Sequence, residues 1–380
     1  MKINFISNLI SEELFKKLYT LPIKPGQQVQ KFNKLIVKGL LANGVNVKCF
    51  SSPPVSKQII KNTFLKLNNE ANFNYSTIIN IPIIKDFILL ISSYLKAKKE
   101  IKNDTNTIFM CDVLSVPNTL GTSLACKKHN RICIGIITDL PELITSNKLY
   151  INLCNRAIKN CSSYIFLAET MNKRINKDKK PYIVIEGFAD VDADSSQYIG
   201  KRDKSIIYAG SLDYVNGIKE FTSAFSSLNL NLTLDIYGVG EYEQELIEYS
   251  KKHSNIRFHG IIHNSELIPL LRKAKFLINP RNIDNDITKY SFPSKNMEYL
   301  STGTPFISTK ILSIPKEYDN YINYFKSDTI NGFKETLKII IETDYCLLLD
   351  KASKGQKFVL NEKNNVNQTK KIISFINNLK

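Results

Sequence analysis

SIIYAGSLDYVNGIKEFTSAF, residues 205–225, and NLTLDIYGVGEYEQELIEYS, residues 231–250, spell the same unit twice. In each, a short apolar run gives way to a glycine-bearing loop and then to a helical pattern. Successive strand–loop–helix units are joined by right-handed crossovers, so their strands lie parallel in one sheet. Outward from this pair the series runs over strands at Ser205–Ala209, Leu232–Tyr237, Ile256–Phe258, Phe276–Ile278 and Pro305–Ser308, with a helix over Ile218–Ser227. An earlier series has strands at Lys2–Ser7, Val45–Ser51, Ile108–Cys111, Ile132–Thr138, Tyr164–Ala168 and Pro181–Ile185. There Gln28–Asn43 reads as a helix stopped by Gly44. The polar stretch from Asp192 to Lys204 separates the two.

The expected fold class is therefore α/β, with two Rossmann-like doubly wound domains. The first spans residues 1–190 and the second 191–360. A basic amphipathic helix over 361–380 is expected to pack back toward the first. Open sheets of this kind bind ligands outside the carboxyl ends of their strands, which points to a cleft between the domains.

Composition agrees with a two-domain globular chain. Its 380 residues exceed the usual size of one core, and 43% hydrophobic with 23% charged residues suffices to fill two. A formal charge of +17 suits an anionic partner, whether phosphorylated substrates, an acidic membrane or nucleic acid, and equally suits a lysine-rich proteome. No nucleic-acid motif accompanies the charge, so no nucleic-acid partner is expected. The seven cysteines form no CxxC pair and read as free buried thiols; the four histidines lack metal-ligand spacing, so no metal is expected. The opening MKINFIS reads as a strand, not a signal peptide, and Ile78–Leu95 is interrupted by Pro82, Lys85 and Asp86. A cytoplasmic protein is expected, resting in part on the inner face of the plasma membrane. Lys85–Lys102 is basic and amphipathic, which suits either a membrane interface or an ordinary domain helix.

The chemistry is expected at YSFPSKNMEYLSTGTP, residues 290–305. Ser291 can cap a helix, Pro293 suits its first turn, Gly303 its end, and Pro305 the following strand. Free N–H groups at such a helix start favour an anion; Ser294 adds a hydroxyl and Lys295 a charge. Lys295 and Glu298 are three apart and share a face. A diphosphate at the helix start then places a ribose within reach of Glu298. The same spacing also describes a capped surface helix with an ion pair. The loop at Gly210–Asn216 can approach phosphate, although alone it is a weak signal; at Gly238–Gly240 a lone GxG carries little information and no dinucleotide fingerprint surrounds it.

Five stretches in order make the second half resemble the retaining glycosyltransferase family four: YAGSLDYVNGIKEFTSAF (208–225), LDIYGVGEYEQEL (234–246), IRFHGIIHNSELIPLL (256–271), AKFLINPR (274–281) and YSFPSKNMEYLSTGTPFIS (290–308). IPKEY, Ile314 to Tyr318, is similar to capsule and exopolysaccharide members. The first half fits more loosely, through residues 25–50 and 134–144. The resemblance implies a GT-B fold, two Rossmann-like domains facing across a cleft. It implies transfer of a sugar, with retention, from a UDP- or GDP-type nucleotide sugar to a glycan or polyprenyl-diphosphate-linked acceptor. The nucleotide sugar is the substrate, and no further cofactor is implied.

By this match Ser294 and Lys295 hold the diphosphate and Glu298 the ribose, with Ser291 and Phe292 at the same turn. Arg281 adds charge near the donor, and Gly210, Ser211 and Asn216 form the facing loop. Asp139 faces the acceptor or the reacting sugar, and Gly26 and Gln27 lie in the first strand-to-helix loop, toward the phosphates. Three departures stand out. Tyr290 occupies the place of a glutamate, and Ser211 and Asn216 occupy places where many members carry cations. These losses keep open a second reading, a non-catalytic GT-B subunit that positions a partner transferase or acceptor.

Overall fold

The computed structural model describes residues 1–19, 27–56, 59–193, 195–196 and 198–379. The chain divides into two compact units, Met1–Phe188 with Asn365–Lys380, and Ala189–Asn364.

The first unit has strands β1 (Lys2–Ser7), β2 (Asn46–Ser51), β3 (Phe64–Leu65), β4 (Phe73–Tyr75), β5 (Ile78–Ile79), β6 (Ile108–Asp112), β7 (Cys133–Ile137), β8 (Ser163–Phe166) and β9 (Tyr182–Val184). Seven of them form a parallel sheet in the order β4-β2-β1-β6-β7-β8-β9. β3 and β5 make a separate antiparallel pair. The central strands read IFMCD and CIGII, and every residue in them is buried. Such unbroken apolar runs are what a parallel strand covered on both faces requires. The helices are α1 (Glu12–Leu18), α2 (Gln27–Ala42), α3 (Ile84–Asn103), α4 (Val116–Lys128), α5 (Pro141–Ile144), α6 (Lys148–Asn160) and α7 (Glu169–Ile175). Gly44, at φ 73°, follows α2 in the left-handed conformation expected beyond a helix end.

The second unit carries β10 (Ser205–Ala209), β11 (Thr233–Tyr237), β12 (Ile256–Gly260), β13 (Phe276–Asn279), β14 (Phe306–Ser308) and β15 (Asn323–Tyr324). They form a second parallel sheet in the order β12-β11-β10-β13-β14-β15. Its helices are α8 (Ile218–Ser226), α9 (Glu243–Lys252), α10 (Asn264–Lys273), α11 (Asp286–Tyr290), α12 (Ser294–Ser301), α13 (Ile330–Glu342) and α14 (Tyr345–Glu362). Ile206, Tyr208, Phe221, Leu234 and Ile278 are fully buried in its core. Strand order reverses between β10 and β13, so the loops leaving these two strands diverge and open a crevice at their carboxyl ends.

The last helix, α15 (Asn365–Asn377), returns to the first unit. Ile372 and Ile376 are fully buried there with Ile36 and Leu40 of α2. The Asn43 amide donates to the Val366 carbonyl and the Thr369 hydroxyl, both at 2.9 Å. Among the described residues no helix is long and apolar enough to cross a membrane.

Candidate functional site

The crevice of the second unit is built from three loops bonded in series. The Gly210 N–H donates to the Tyr237 carbonyl at 2.8 Å, and the Gly238 N–H donates to the Gly260 carbonyl at 2.8 Å. The Leu212 N–H donates to the Val239 carbonyl at 2.9 Å. Gly238 has φ 140°, and a Cβ there would collide with the Gly210 carbonyl oxygen. Gly217, at φ 66°, lies as closely against the Pro280 carbonyl, which ties the β10 loop to the β13 loop.

Against these loops stands α12. Pro293, not Ser291, is its N-cap; the residue makes no side-chain cap, and the helix begins at Ser294. Ser291 instead closes α11, its N–H donating to the Ile287 carbonyl. The Ser313 hydroxyl donates to the Ser291 carbonyl at 2.9 Å and holds that turn. The proline ring takes the N-cap because the chain must leave α11 in extended conformation, as residues before and at proline do. Pro293 therefore places no side-chain acceptor of its own across the N–H groups at the start of α12.

Two buried contacts fix the helix. Asn279, at the end of β13, donates from Nδ2 to Oδ1 of Asn296 at 3.0 Å, with both residues fully buried. The Tyr299 hydroxyl accepts from the Ala209 N–H at 2.8 Å and donates to the Ala209 carbonyl at 3.2 Å. Tyr299 thus locks α12 to the end of β10. Burial pushes its hydroxyl well above the ordinary tyrosine range, against the opposing charge of Arg281. Arg281 exerts the same pull on Tyr208, which places the guanidinium's field at the end of β10.

Lys295 lies directly over Gly210: a Cβ on that glycine would meet its Cε and Nζ. Its ammonium also sits 5.8 Å from the centroid of the Tyr208 ring. Lys295 and Glu298 line a recess of about 190 Å³ with Gly210, Tyr237, Gly238, Ile261, Ile262 and Asn264. That volume is below the roughly 300–1,000 Å³ of a whole small-molecule site, so it suits one part of a longer ligand. A helix start, an ammonium and a carboxylate one turn on thus share one concave surface. It can take an anion and a polar hydroxylated group side by side.

The other residues named from sequence fall elsewhere. Ser294 is exposed on the first turn of α12, and Phe292 is buried with its ring 5.5 Å from Tyr318. An apolar ring at that turn packs inward rather than toward a ligand. Tyr318 closes the IPKEY stretch and is itself fully buried, so that motif contributes core. Asn216 is buried, donating to the Ser211 carbonyl at 3.1 Å, and the Ser211 hydroxyl donates to Asp213. Both serve the internal structure of the β10 loop. Tyr290 is the last residue of α11. Gly26 lies outside the described residues, and Gln27 opens α2 instead of standing in the loop before it.

In the first unit Asp139 follows β7 by two residues and is partly buried. Its charge is felt by Asp112 at the end of β6, which is 1% exposed. Burial pushes the Asp112 carboxyl up to about 6, with Asp139 adding to the rise. The Asn33 amide at 2.9 Å and the Leu114 N–H at 3.0 Å partly offset it. Sequence reading missed Asp112, Tyr299 and Asn264. A signal existed for the first, an acid ending the apolar run IFMCD, next in the sheet to the run that leads to Asp139.

Residues 203–341 match the family model described as glycosyl transferases group 1. Comparison with curated sequences gives no match. Among solved structures, the Anabaena protein HepE in complex with UDP superposes with a TM-score of 0.70 at 12% identity, covering 100% of both chains. Sucrose-phosphate synthase from Thermosynechococcus elongatus gives 0.69 at 11%, again covering 100% of both. The lipopolysaccharide outer core galactosyltransferase WaaB gives 0.65 at 14%, with the same coverage. These likenesses establish the architecture over the whole chain, the GT-B fold, and residues 203–341 of its second unit are similar to glycosyl transferases group 1.

Proposed function

We propose that the chain transfers a sugar, with retention, from a nucleotide diphosphate sugar to a cell-surface glycan or a lipid-linked precursor of one. The observation that carries this reading is the shared recess of Lys295 and Glu298 at the start of α12, over Gly210. The difficult event in such a transfer is departure of the nucleotide diphosphate from a centre developing positive charge. Helix N–H groups and the Lys295 ammonium stabilise the negative charge growing on that leaving group. Arg281 adds to the field, and Glu298 accepts hydrogen bonds from the ribose hydroxyls. The recess beside Ile261 and Ile262 takes the base through backbone groups. Asp139, on the other unit, orients the acceptor. The capsule or exopolysaccharide setting rests on the motif resemblance, and contact with an anionic membrane rests on the charge and on α3.

HepE, of the same fold, has been solved with UDP and with UDP-glucose, which makes UDP the first nucleotide to test. UDP, GDP, ADP and CMP are each titrated while the melting temperature is followed. A ligand at 100 times its Kd stabilises the native state by about 2.7 kcal/mol. A rise with at least one nucleoside diphosphate is expected, and no rise with any overturns the reading. A nucleotide that binds while no donor sugar is turned over on lipid-linked or glycan acceptors selects the non-catalytic subunit. The departures at Tyr290, Ser211 and Asn216 favour that second reading.

A further inference from the structure

The first unit holds a second recess, which donor binding leaves unused. It opens where β1, β2 and β6 end, and Asn8, Ser52, Leu114 and Ser115 in its lining follow those strands closely. This is the position at which open parallel sheets take ligands. Its volume is about 400 Å³, enough for a substantial part of a ligand.

The recess is two-natured. One corner is a polar network: the Asn118 amide donates to the Ser115 hydroxyl at 2.9 Å and also to Ser52. The Ser115 hydroxyl donates to the Asn8 side chain at 2.7 Å, and Ser93 donates to Asn118 at 2.9 Å. The remaining walls are apolar, formed by Pro54, Val55, Leu89, Leu90, Val116 and Leu153. At the rim three large apolar side chains stand in water: Ile83 is 82% exposed, Phe87 64% and Leu149 68%. Ile83 has φ 67°, a conformation that a β-branched residue adopts only when its surroundings impose it. Lys85 and Asp86 also reach the recess, and the Lys85 ammonium donates to the Val55 carbonyl at 2.9 Å.

Beyond the rim the apolar surface continues along α3. Ile84, Phe87, Ile91 and Leu95 recur at helical spacing and are all exposed. Lys98 and Lys102 continue the same stripe, and Lys148 stands exposed beside Leu149. Exposed apolar side chains grouped in this way mark a contact surface, and the lysines that border them complement the anionic surface of a bilayer into which a lipid chain would lead.

We infer that this recess takes the first stretch of the aliphatic chain of a lipid-linked acceptor. The head of that acceptor lies at the Asn8, Ser52, Ser115 and Asn118 corner, and its chain leaves past Ile83, Phe87 and Leu149. The inference rests on the transferase reading and specifies the acceptor within it. A free oligosaccharide would leave Leu90 and the rim residues Ile83, Phe87 and Leu149 in water, whereas a hydrocarbon chain covers them.

The test uses the full chain and farnesyl phosphate below its aggregation concentration, with inorganic phosphate as the control. Calorimetry is expected to show saturable binding of farnesyl phosphate and none of phosphate. The double variant Phe87→Ser with Leu149→Ser changes only exposed side chains. It is expected to weaken farnesyl phosphate binding at least tenfold while UDP affinity stays at its native value. Unchanged farnesyl phosphate affinity in that variant overturns the inference. So does binding of the native chain to phosphatidylglycerol vesicles without binding of dispersed farnesyl phosphate, which would make this face a membrane contact alone. Farnesyl phosphate binding without any nucleotide binding would uphold the recess and sink the donor site instead.

Discussion

Lys295 and Asp112 show two opposite uses of a charge. Lys295 keeps its ammonium at the mouth of a recess, over a glycine that offers no side chain to displace it. Lys295→Ala is expected to lower the transfer rate more than tenfold with the melting temperature nearly unchanged. Loss of one leaving-group contact costs roughly 2–4 kcal/mol in the transition state. A native rate would remove the residue from the mechanism. Glu298→Ala is expected to raise the nucleotide Kd instead, and an unchanged Kd would dismiss the ribose contact. Asp112, by contrast, is sealed in, and burial holds its carboxyl near 6 against an ordinary 3.8. A raised acid binds its proton more tightly in the folded chain than in the unfolded one. Stability therefore falls as pH rises from about 4 to about 6, and above that the cost levels off on the order of 3 kcal/mol. Asp112→Asn removes this cost: Asn33 has an unpartnered Oδ1, so its amide can turn to accept from the new side chain. Melting curves should show the variant gaining on the native protein between pH 4 and 6 and keeping a constant lead to pH 8. A lead independent of pH would show that Asp112 is ionised without penalty.

At the scale of elements, the loops that end β10, β11 and β13 are a single construction, and their glycines have different tasks. Gly238→Ala places a methyl on the Gly210 carbonyl in a left-handed conformation, so it should cost more than about 2 kcal/mol and lower the melting temperature sharply. Gly210→Ala meets chiefly the flexible end of Lys295, with the Tyr208 hydroxyl next at 3.1 Å. It should leave the melting temperature within a few degrees while transfer falls as the ammonium moves aside. Equal effects of the two substitutions on stability would contradict this division. The elements differ likewise in how plainly the sequence declares them. Strands such as Ser205–Ala209 and Lys2–Ser7 are apolar runs bounded by turn residues, and their limits are legible to the residue. α4 is less so, because Asn118, Thr119, Thr122 and Ser123 are buried beside Leu120 and Ala125 and no apolar stripe forms. The cap of α12 lies two residues beyond the one that sequence suggests, since a serine two positions before Pro293 resembles a cap, whereas Ser291 in fact caps the end of α11. The Lys295–Glu298 face follows from spacing alone. The contacts that orient it, Asn279 with Asn296 and Tyr299 with Ala209, join residues 17 and 90 apart, and no local pattern announces them.

Across the whole molecule the chain leaves the first unit after Phe188 and re-enters it at Asn365. The two crossings run side by side, with the Ala189 N–H donating to the Lys363 carbonyl at 2.9 Å and Ala189 bridging to Asn364. Sixteen residues at the end of the sequence thus complete a core begun at its start, Asn365–Lys380. The fit is close: the Asn365 carbonyl and the Thr369 hydroxyl occupy the space that a side chain at Gly39 would need. Ile372 and Ile376 are fully buried among α2 and the sheet. Ile372→Ala should therefore cost about 2–5 kcal/mol, the usual price of emptying a core position of that size. The residues that line the Lys295–Glu298 recess all belong to the second unit, whereas Ile372 packs in the core of the first. The same variant should accordingly bind the nucleotide with native affinity at temperatures where it remains folded. Chemical denaturation together with a nucleotide titration separates the two effects. A loss of nucleotide affinity matching the loss of stability would mean that the recess depends on the first unit's core. Native stability would mean that α15 contributes little to holding that unit together.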